Sequence, residues 1–173
     1  MKIDRIVVGE LEENCYIISM DDKCIVVDPG DEFSKIEKEI GKKKVMACFV
    51  THHHFDHIGA LKEVINTYQV PICDFHTLTE GRHEVGPFTF QVIYNPGHTK
   101  DSISYYFPNE NIMFVGDFIF QNSIGRWDLE GGSFLEMRES IQKIKKYPDD
   151  VLLYPGHGVS TTLGYEKKNN SFF

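Results

Sequence analysis

Between Phe49 and Gly59 the chain reads FVTHHHFDHIG, so four histidines and one aspartate fall within the six positions His52 to His57. Imidazole and carboxylate groups at this density can hold a metal ion, whereas a packed core would not tolerate them unpaired. The cluster is internal, follows the apolar run VMACFV and is interrupted by Phe55 and Asp56. It is therefore neither a terminal tag nor a uniform histidine tract.

Further donors follow other apolar runs. NPGHT places His98 just after the run ending at Tyr94, FVGDF places Asp117 at the end of another, and YPGHG places His157 at the end of the last. A glycine precedes each donor, which lets the backbone turn sharply, and strand ends on a sheet make a rigid platform for a metal site. The count suffices for two ions. His52, His54, His98 and Asp117 could hold one, and Asp56, His57 and His157 a second, with Asp117 bridging. Such ligands suit zinc, and also iron or manganese. None of Cys15, Cys24, Cys48 and Cys73 stands at a donor position. Two divalent ions here would make an electrophilic centre for an anionic or carbonyl substrate.

THHHFDHIG, PGHT, GD and PGHG, in this order, resemble the metallo-β-lactamase superfamily, whose pattern is HxHxDH followed by a distant His, Asp and His. The resemblance covers nearly the whole chain, including the early VVDPG turn. It implies an α/β fold, the αββα sandwich with two mixed β-sheets face to face and helices outside, carrying a binuclear site at one edge. It also assigns the same ligands. β-Lactamases of this superfamily usually carry Cys where this chain has Asp117, which speaks against antibiotic hydrolysis.

A narrower likeness lies in GDFIFQNSIGRWD. It is similar to a segment of glyoxalase II-like hydrolases, the short bacterial members above all, and of persulfide dioxygenases. Trp127 departs from it, standing where those proteins usually have a small residue. Sixteen residues follow His157, too few for the helical domain with which full glyoxalase II grips glutathione. The expectation is one domain, 1–173, without that addition.

The reaction this resemblance implies is hydrolysis of a small acyl thioester. Two ions sharing a water lower its pKa towards about 7, and the hydroxide attacks the carbonyl, with Asp56 and Asp117 as the catalytic carboxylates. No covalent nucleophile is needed, and no GxSxG motif or phosphate-cradling glycine loop is present. Two rivals share the donor set: a mononuclear iron oxidoreductase of the persulfide dioxygenase kind, and a non-catalytic metal-binding module.

Around the donors, Arg126 is the candidate contact for a distant anionic group of the substrate, or else a surface salt bridge. Trp127 is expected to line the mouth of the site or pack on it. Asp28, in DPGD, could hydrogen-bond the metal-bearing loop or simply form a turn. His53, in the variable position of the motif, is expected to point away from the metals. His76 and His83 belong to no motif and are expected on loops or the surface.

These residues need elements to carry them. IDRIVV, CYIIS and CIVVD, separated by polar turns, read as a β-meander. FSKIEKEI places Phe33, Ile36 and Ile40 on one helical face, and from Asp56 onward Ile58, Leu61, Val64, Ile65 and Tyr68 recur at helical spacing. VMACFV and NIMFVGD read as buried strands; PICDF, FTFQVIY, SISYYF and VLLYPGHG are further strands. SFLEMRESIQKIKKY opens with a capping-box pattern, Ser133 and Glu136, and presents Phe134, Met137, Ile141 and Ile144 on one face.

Composition narrows the partners. The 173 residues carry a formal net charge of -8 and are 41% hydrophobic, enough for a sizeable core and unsuited to nucleic acid or an anionic membrane. Lys42, Lys43 and Lys44 form a short basic run that reads as a solvated turn. The cysteines form no CxxC pair and lie in or beside apolar runs, as buried free thiols do in a reducing compartment. No run is long enough for a signal peptide or a membrane span. The expected setting is the cytoplasm, and the partner a small-molecule substrate; the oligomeric state is left open.

Overall fold

The computed structural model describes all residues 1–173. Its first half comprises β1 (Lys2–Val8), β2 (Glu13–Met20), β3 (Lys23–Val27), α1 (Phe33–Ile40), β4 (Lys44–Phe49), α2 (Phe55–Ile58), α3 (Leu61–Tyr68) and β5 (Ile72–Cys73). The second comprises β6 (Gly81–Val85), β7 (Phe88–Tyr94), β8 (Ile103–Phe107), β9 (Ile112–Gly116), β10 (Ile119–Phe120), β11 (Ser123–Ile124), α4 (Phe134–Ile144), β12 (Leu152–Pro155), β13 (Thr161–Thr162) and α5 (Leu163–Asn169).

Two mixed sheets result, ordered β1-β2-β3-β4-β5 and β13-β12-β9-β8-β7-β6, with β10 and β11 as a separate small hairpin. The expected meander is present: β1, β2 and β3 pair antiparallel in sequence. Between the sheets lie Ile18, Ile25 and Phe49 from the first and Phe88, Phe90, Tyr105 and Phe114 from the second, all buried. The outer face of the first sheet packs Ile17 and Cys48 on Ile36, Ile40 and Val64 of α1 and α3. The outer face of the second packs Met113 and Val115 on Met137, Ile141 and Ile144 of α4. This is the expected αββα layering; Ile36 and Ile40 of α1, Val64 of α3 and Met137, Ile141 and Ile144 of α4 are buried as their spacing predicts, whereas Phe134, at the start of the α4 stripe, is exposed. All four cysteines are free and buried. No helix is long and apolar enough to cross a membrane.

Local departures have local causes. The helical spacing from Asp56 to Tyr68 is realised as two helices rather than one. They part where the chain crosses the β3–α1 turn: Ala60 N–H donates to the Pro29 carbonyl at 2.9 Å, and a Cβ on Gly59 would stand 2.1 Å from the Gly30 carbonyl oxygen. The capping box of α4 is half formed. Ser133 Oγ accepts the Glu136 N–H, but the Ser133 N–H donates to the Gly97 carbonyl at 2.8 Å, which seats α4 beside the turn bearing His98. Strand β6 is largely exposed, and α5 caps on Thr162. Neither shows an apolar pattern that would announce it.

Candidate metal centre

The candidate donors emerge together because their strands run the same way. β3 is parallel to β4 and β9 to β12, while β7 and β9 are both antiparallel to β8 and so parallel to each other. Asp28, the loop 51–57, His98, Asp117 and His157 follow the C-terminal ends of β3, β4, β7, β9 and β12. Two cross-sheet bonds close that edge: Ile103 N–H to the Thr51 carbonyl at 2.9 Å, and Asn14 N–H to the Gly156 carbonyl at 2.7 Å.

His52, His54 and His98 form one group. His54 Nδ1 lies 3.2 Å from His52 Nε2 and 2.9 Å from His98 Nε2. The tautomers follow from the outer nitrogens. His98 Nδ1 meets the Arg126 carbonyl at 2.7 Å and must donate to it. Thr51 Oγ1 gives its proton to Asp28 Oδ2 at 2.6 Å, so His52 Nδ1, 3.1 Å away, must donate to Thr51. Both neutral rings therefore aim an Nε2 lone pair at the same point, and His54 has at most one proton to offer there. Burial pushes His52 well below the ordinary histidine range, and the neighbouring rings add to this, so the ring stays neutral. Burial and His98 lower His54 as well.

Asp56, His57 and His157 form the second group. Asp56 Oδ2 lies 3.2 Å from His157 Nε2 and 3.9 Å from His57 Nε2. The outer nitrogens are again committed, His57 Nδ1 to Asp28 Oδ2 and His157 Nδ1 to the Leu11 carbonyl, both at 3.0 Å. Asp117 joins the groups. Its Oδ1 lies 3.3 Å from His57 Nε2 and 3.7 Å from His157 Nε2, and its Oδ2 lies 3.5 Å from His98 Nε2. His57 Nε2 and Asp117 Oδ1 are buried without a hydrogen-bond partner, a condition rare in native proteins. Lone pairs that converge, and buried polar atoms left unpaired, are what a pair of divalent cations would satisfy. Burial would raise the Asp117 carboxyl, but His57, His157 and His98 hold it below the ordinary range. The same contest, won by His157 and His57, keeps Asp56 ionised.

The family model described as the metallo-beta-lactamase superfamily matches residues 8–80 and 77–157. The chain belongs to the metallo-β-lactamase superfamily. Curated relatives include the "Probable metallo-hydrolase YqgX" of Bacillus subtilis, 33% identical over 99% of this chain and 97% of that protein. They also include the "Hydroxyacylglutathione hydrolase GloC" of Haemophilus influenzae, 28% identical over 99% of this chain and 98% of that one. Among solved structures, BLEG-1 B3 metallo-beta-lactamase is 31% identical with a TM-score of 0.94, covering 99% of both chains. TTHA1623 in a di-iron-bound form is 28% identical with a TM-score of 0.88, covering 98% of this chain and 100% of that one. This metallo-hydrolase superfamily uses divalent metals, in keeping with the two donor groups at the sheet edge.

In this member of the superfamily the donors open onto a cleft of about 850 Å³. Its walls include Leu11, Phe55, Phe120, Ile124 and Leu129, with His54, His98, Asp117 and His157 at the base. Arg126 also lines it, but its guanidinium is forked onto Asp128 at 2.9 and 3.0 Å. The surface salt bridge is thus the state observed, and it is the Arg126 carbonyl that serves the donors. Of the two roles open to Trp127 the structure shows packing: it is absent from the cleft wall and lies on Phe134 and Phe172, because α4 and the C-terminal residues offer it apolar partners. Asp28 does both things foreseen for it. It turns the chain with φ 46° and braces Thr51 and His57. His53 points away from the two groups towards Asp74 and Asp101, and His83 bonds the Thr79 carbonyl.

One neighbour of the site escaped the sequence. Glu13 is buried 3.8 Å from His57 Nδ1 with both oxygens unpaired, and burial holds its carboxyl well above the ordinary range. It sits in the polar stretch GELEEN, where nothing distinguishes it from its exposed neighbours.

Proposed function

We propose that the chain is a metal-dependent hydrolase of small acyl thioesters, of the hydroxyacylglutathione hydrolase-like kind, holding two divalent ions. The observation that carries this reading is the junction made by Asp117 between two three-donor groups at the base of an apolar-walled cleft. His52, His54 and His98 would hold one ion, Asp56, His57 and His157 the other, and Asp117 would bridge. Bound there, the ions would supply Lewis acidity and an activated water, with zinc suited to the imidazole-rich set.

The chain's own residues do the rest. Thr51 and the Arg126 carbonyl lock the tautomers of His52 and His98, and Asp28 and the Leu11 carbonyl aim His57 and His157. Asp56, ionised at neutral pH, is placed to take the proton of the attacking water at its carboxylate. Leu11, Phe55, Phe120 and Leu129 give an acyl group an apolar wall. The cleft's one cationic side chain, Arg126, is engaged with Asp128, which favours small or uncharged thiol portions over glutathione. Kinship with hydroxyacylglutathione hydrolases supports the thioester. Kinship with a di-iron protein favours iron as the second reading of the metal.

Zinc- and iron-loaded protein should be assayed against short acyl thioesters of glutathione and of smaller thiols, a chromogenic β-lactam, and a persulfide with oxygen uptake recorded. Thioester hydrolysis is expected to lead, with no strong preference for glutathione. Faster turnover of the β-lactam, or oxygen uptake with the persulfide, would overturn the reading.

A further inference from the structure

A second set of donors meets on the other side of the histidine loop. His53 Nδ1 lies 2.5 Å from Asp101 Oδ2, and His53 Nε2 lies 3.2 Å from Asp74 Oδ2. The His76 ring is 5.4 Å from that of His53, and one donor atom each of His53, His76 and Asp101 lie within 4.8 Å of one another. Three separate segments supply them: the β4–α2 loop, the β5–β6 loop and the β7–β8 loop. None of the three is a donor of the centre described above.

Charge and tautomer both call for a cation. Asp74 Oδ1 is occupied by the backbone N–H groups of His76 and Thr77, so Oδ2 is the oxygen left for His53. Within ion-pair distance, neither Asp74 nor Asp101 meets a lysine or arginine; His53 is the partner of both. A neutral imidazole has one N–H. Given from Nδ1 to Asp101 Oδ2, it leaves the Nε2 lone pair 3.2 Å from Asp74 Oδ2; given to Asp74, it leaves the Nδ1 lone pair facing Asp101. Either a second proton or a metal ion resolves that clash. The arrangement repeats the logic of His52, His57, His98 and His157 in the main centre, where the outer nitrogen is tied down and the inner one faces other donors.

We propose that His53, His76 and Asp101 form a third divalent-cation site, suited to zinc or copper(II), with Asp74 orienting His53. His76 is exposed and His53 and Asp101 are half-buried, so water completes the coordination and this site fills after the buried ones. It would place an ion on the same loop as His52 and His54, one residue from each. The inference does not depend on the reaction assigned to the main centre.

The test counts ions in the intact protein. Wild type, His76→Ala and Asp101→Asn are dialysed against rising free zinc and analysed for bound metal. Wild type should pass a low-zinc plateau and then take up one more ion. Both variants should keep the plateau and its hydrolysis rate, and bind the extra ion at least about tenfold more weakly. Copper(II) added to the zinc plateau form should show nitrogen coupling in its EPR spectrum in wild type and lose part of it in His76→Ala. No extra ion in wild type would mean that the cluster holds itself together by hydrogen bonds alone, and the proposal fails. An extra ion that both variants bind as tightly as wild type lies elsewhere on the surface and overturns it equally.

Discussion

Oδ1 of Asp117 lies 3.3 Å from Nε2 of His57, yet both buried atoms lack a hydrogen-bond partner. Two polar atoms this close and still unpaired are positioned for a common third partner, and the other oxygen of Asp117 turns to His98. Asp117→Ala should therefore empty the centre rather than merely slow it. Removing a group that only supports a ligand costs about 10–100-fold, so if Asp117 bridges two ions as proposed its loss should exceed a hundredfold in kcat/KM. Metal analysis beside the rate decides the matter: a full complement of ions in the variant would remove Asp117 from the bridge.

Gly156 is required by space rather than by backbone angle. A Cβ there would lie 2.4 Å from Asp117 Oδ1 and 2.5 Å from His57 Cε1. Gly156→Ala should fold, since its φ is not positive, but should displace both side chains and weaken metal binding by at least about tenfold. Circular dichroism with a zinc titration separates the two effects. Unchanged affinity would show that the site yields to the methyl group.

Metal binding should release protons. Burial opposes a charge on His57, but Asp117 and Asp28 outweigh it and hold the ring well above the ordinary histidine range. A metal takes the neutral ring, so its binding works against this raised proton affinity of His57. The raised value also means that this charged contact stabilises the metal-free fold fully below the unfolded pKa and is lost as pH rises through the folded one. Zinc affinity should therefore climb with pH across neutrality. Calorimetry in two buffers of different ionisation enthalpy should give different apparent heats; identical heats would show that no proton leaves.

Arg126→Ala should be mild. Its guanidinium is exposed and forked onto Asp128, and exposed pairs of this kind contribute little. With charged and uncharged thioesters alike, kcat/KM should change by less than about fivefold, because the carbonyl that fixes His98 survives the substitution. A loss confined to charged substrates and larger than this would show that the side chain leaves Asp128 for the substrate.

Sequence alone determined the donor set and the layers. Donor type and order are local facts: HxHxDH, PGHT, GD and PGHG announce themselves without a fold, and apolar spacing marked α1, α4 and the buried strands. Glycine before His98 and Asp117 announced sharp turns, and Gly97 and Gly116 make them with positive φ, 146° and 51°. Before His157 the same glycine serves a different need, the close approach of Asp117 and His57 to Gly156, which no local pattern encodes.

What only the tertiary structure decided depends on residues far apart in the chain. Parallel pairing of β3 with β4 and of β9 with β12 brings Asp28, His57, Asp117 and His157 to one edge. That pairing also explains why Asp28 is a brace as well as a turn. Glu13 could not be found because burial, not residue type, sets it apart, and burial is a property of the assembled sheets. The choice between the two roles open to each of Arg126 and Trp127 was out of reach for the same reason. Their position after Asp117 is fixed by the chain, but whether a side chain meets the cleft, Asp128 or Phe172 is settled by which neighbours lie nearer once the layers close.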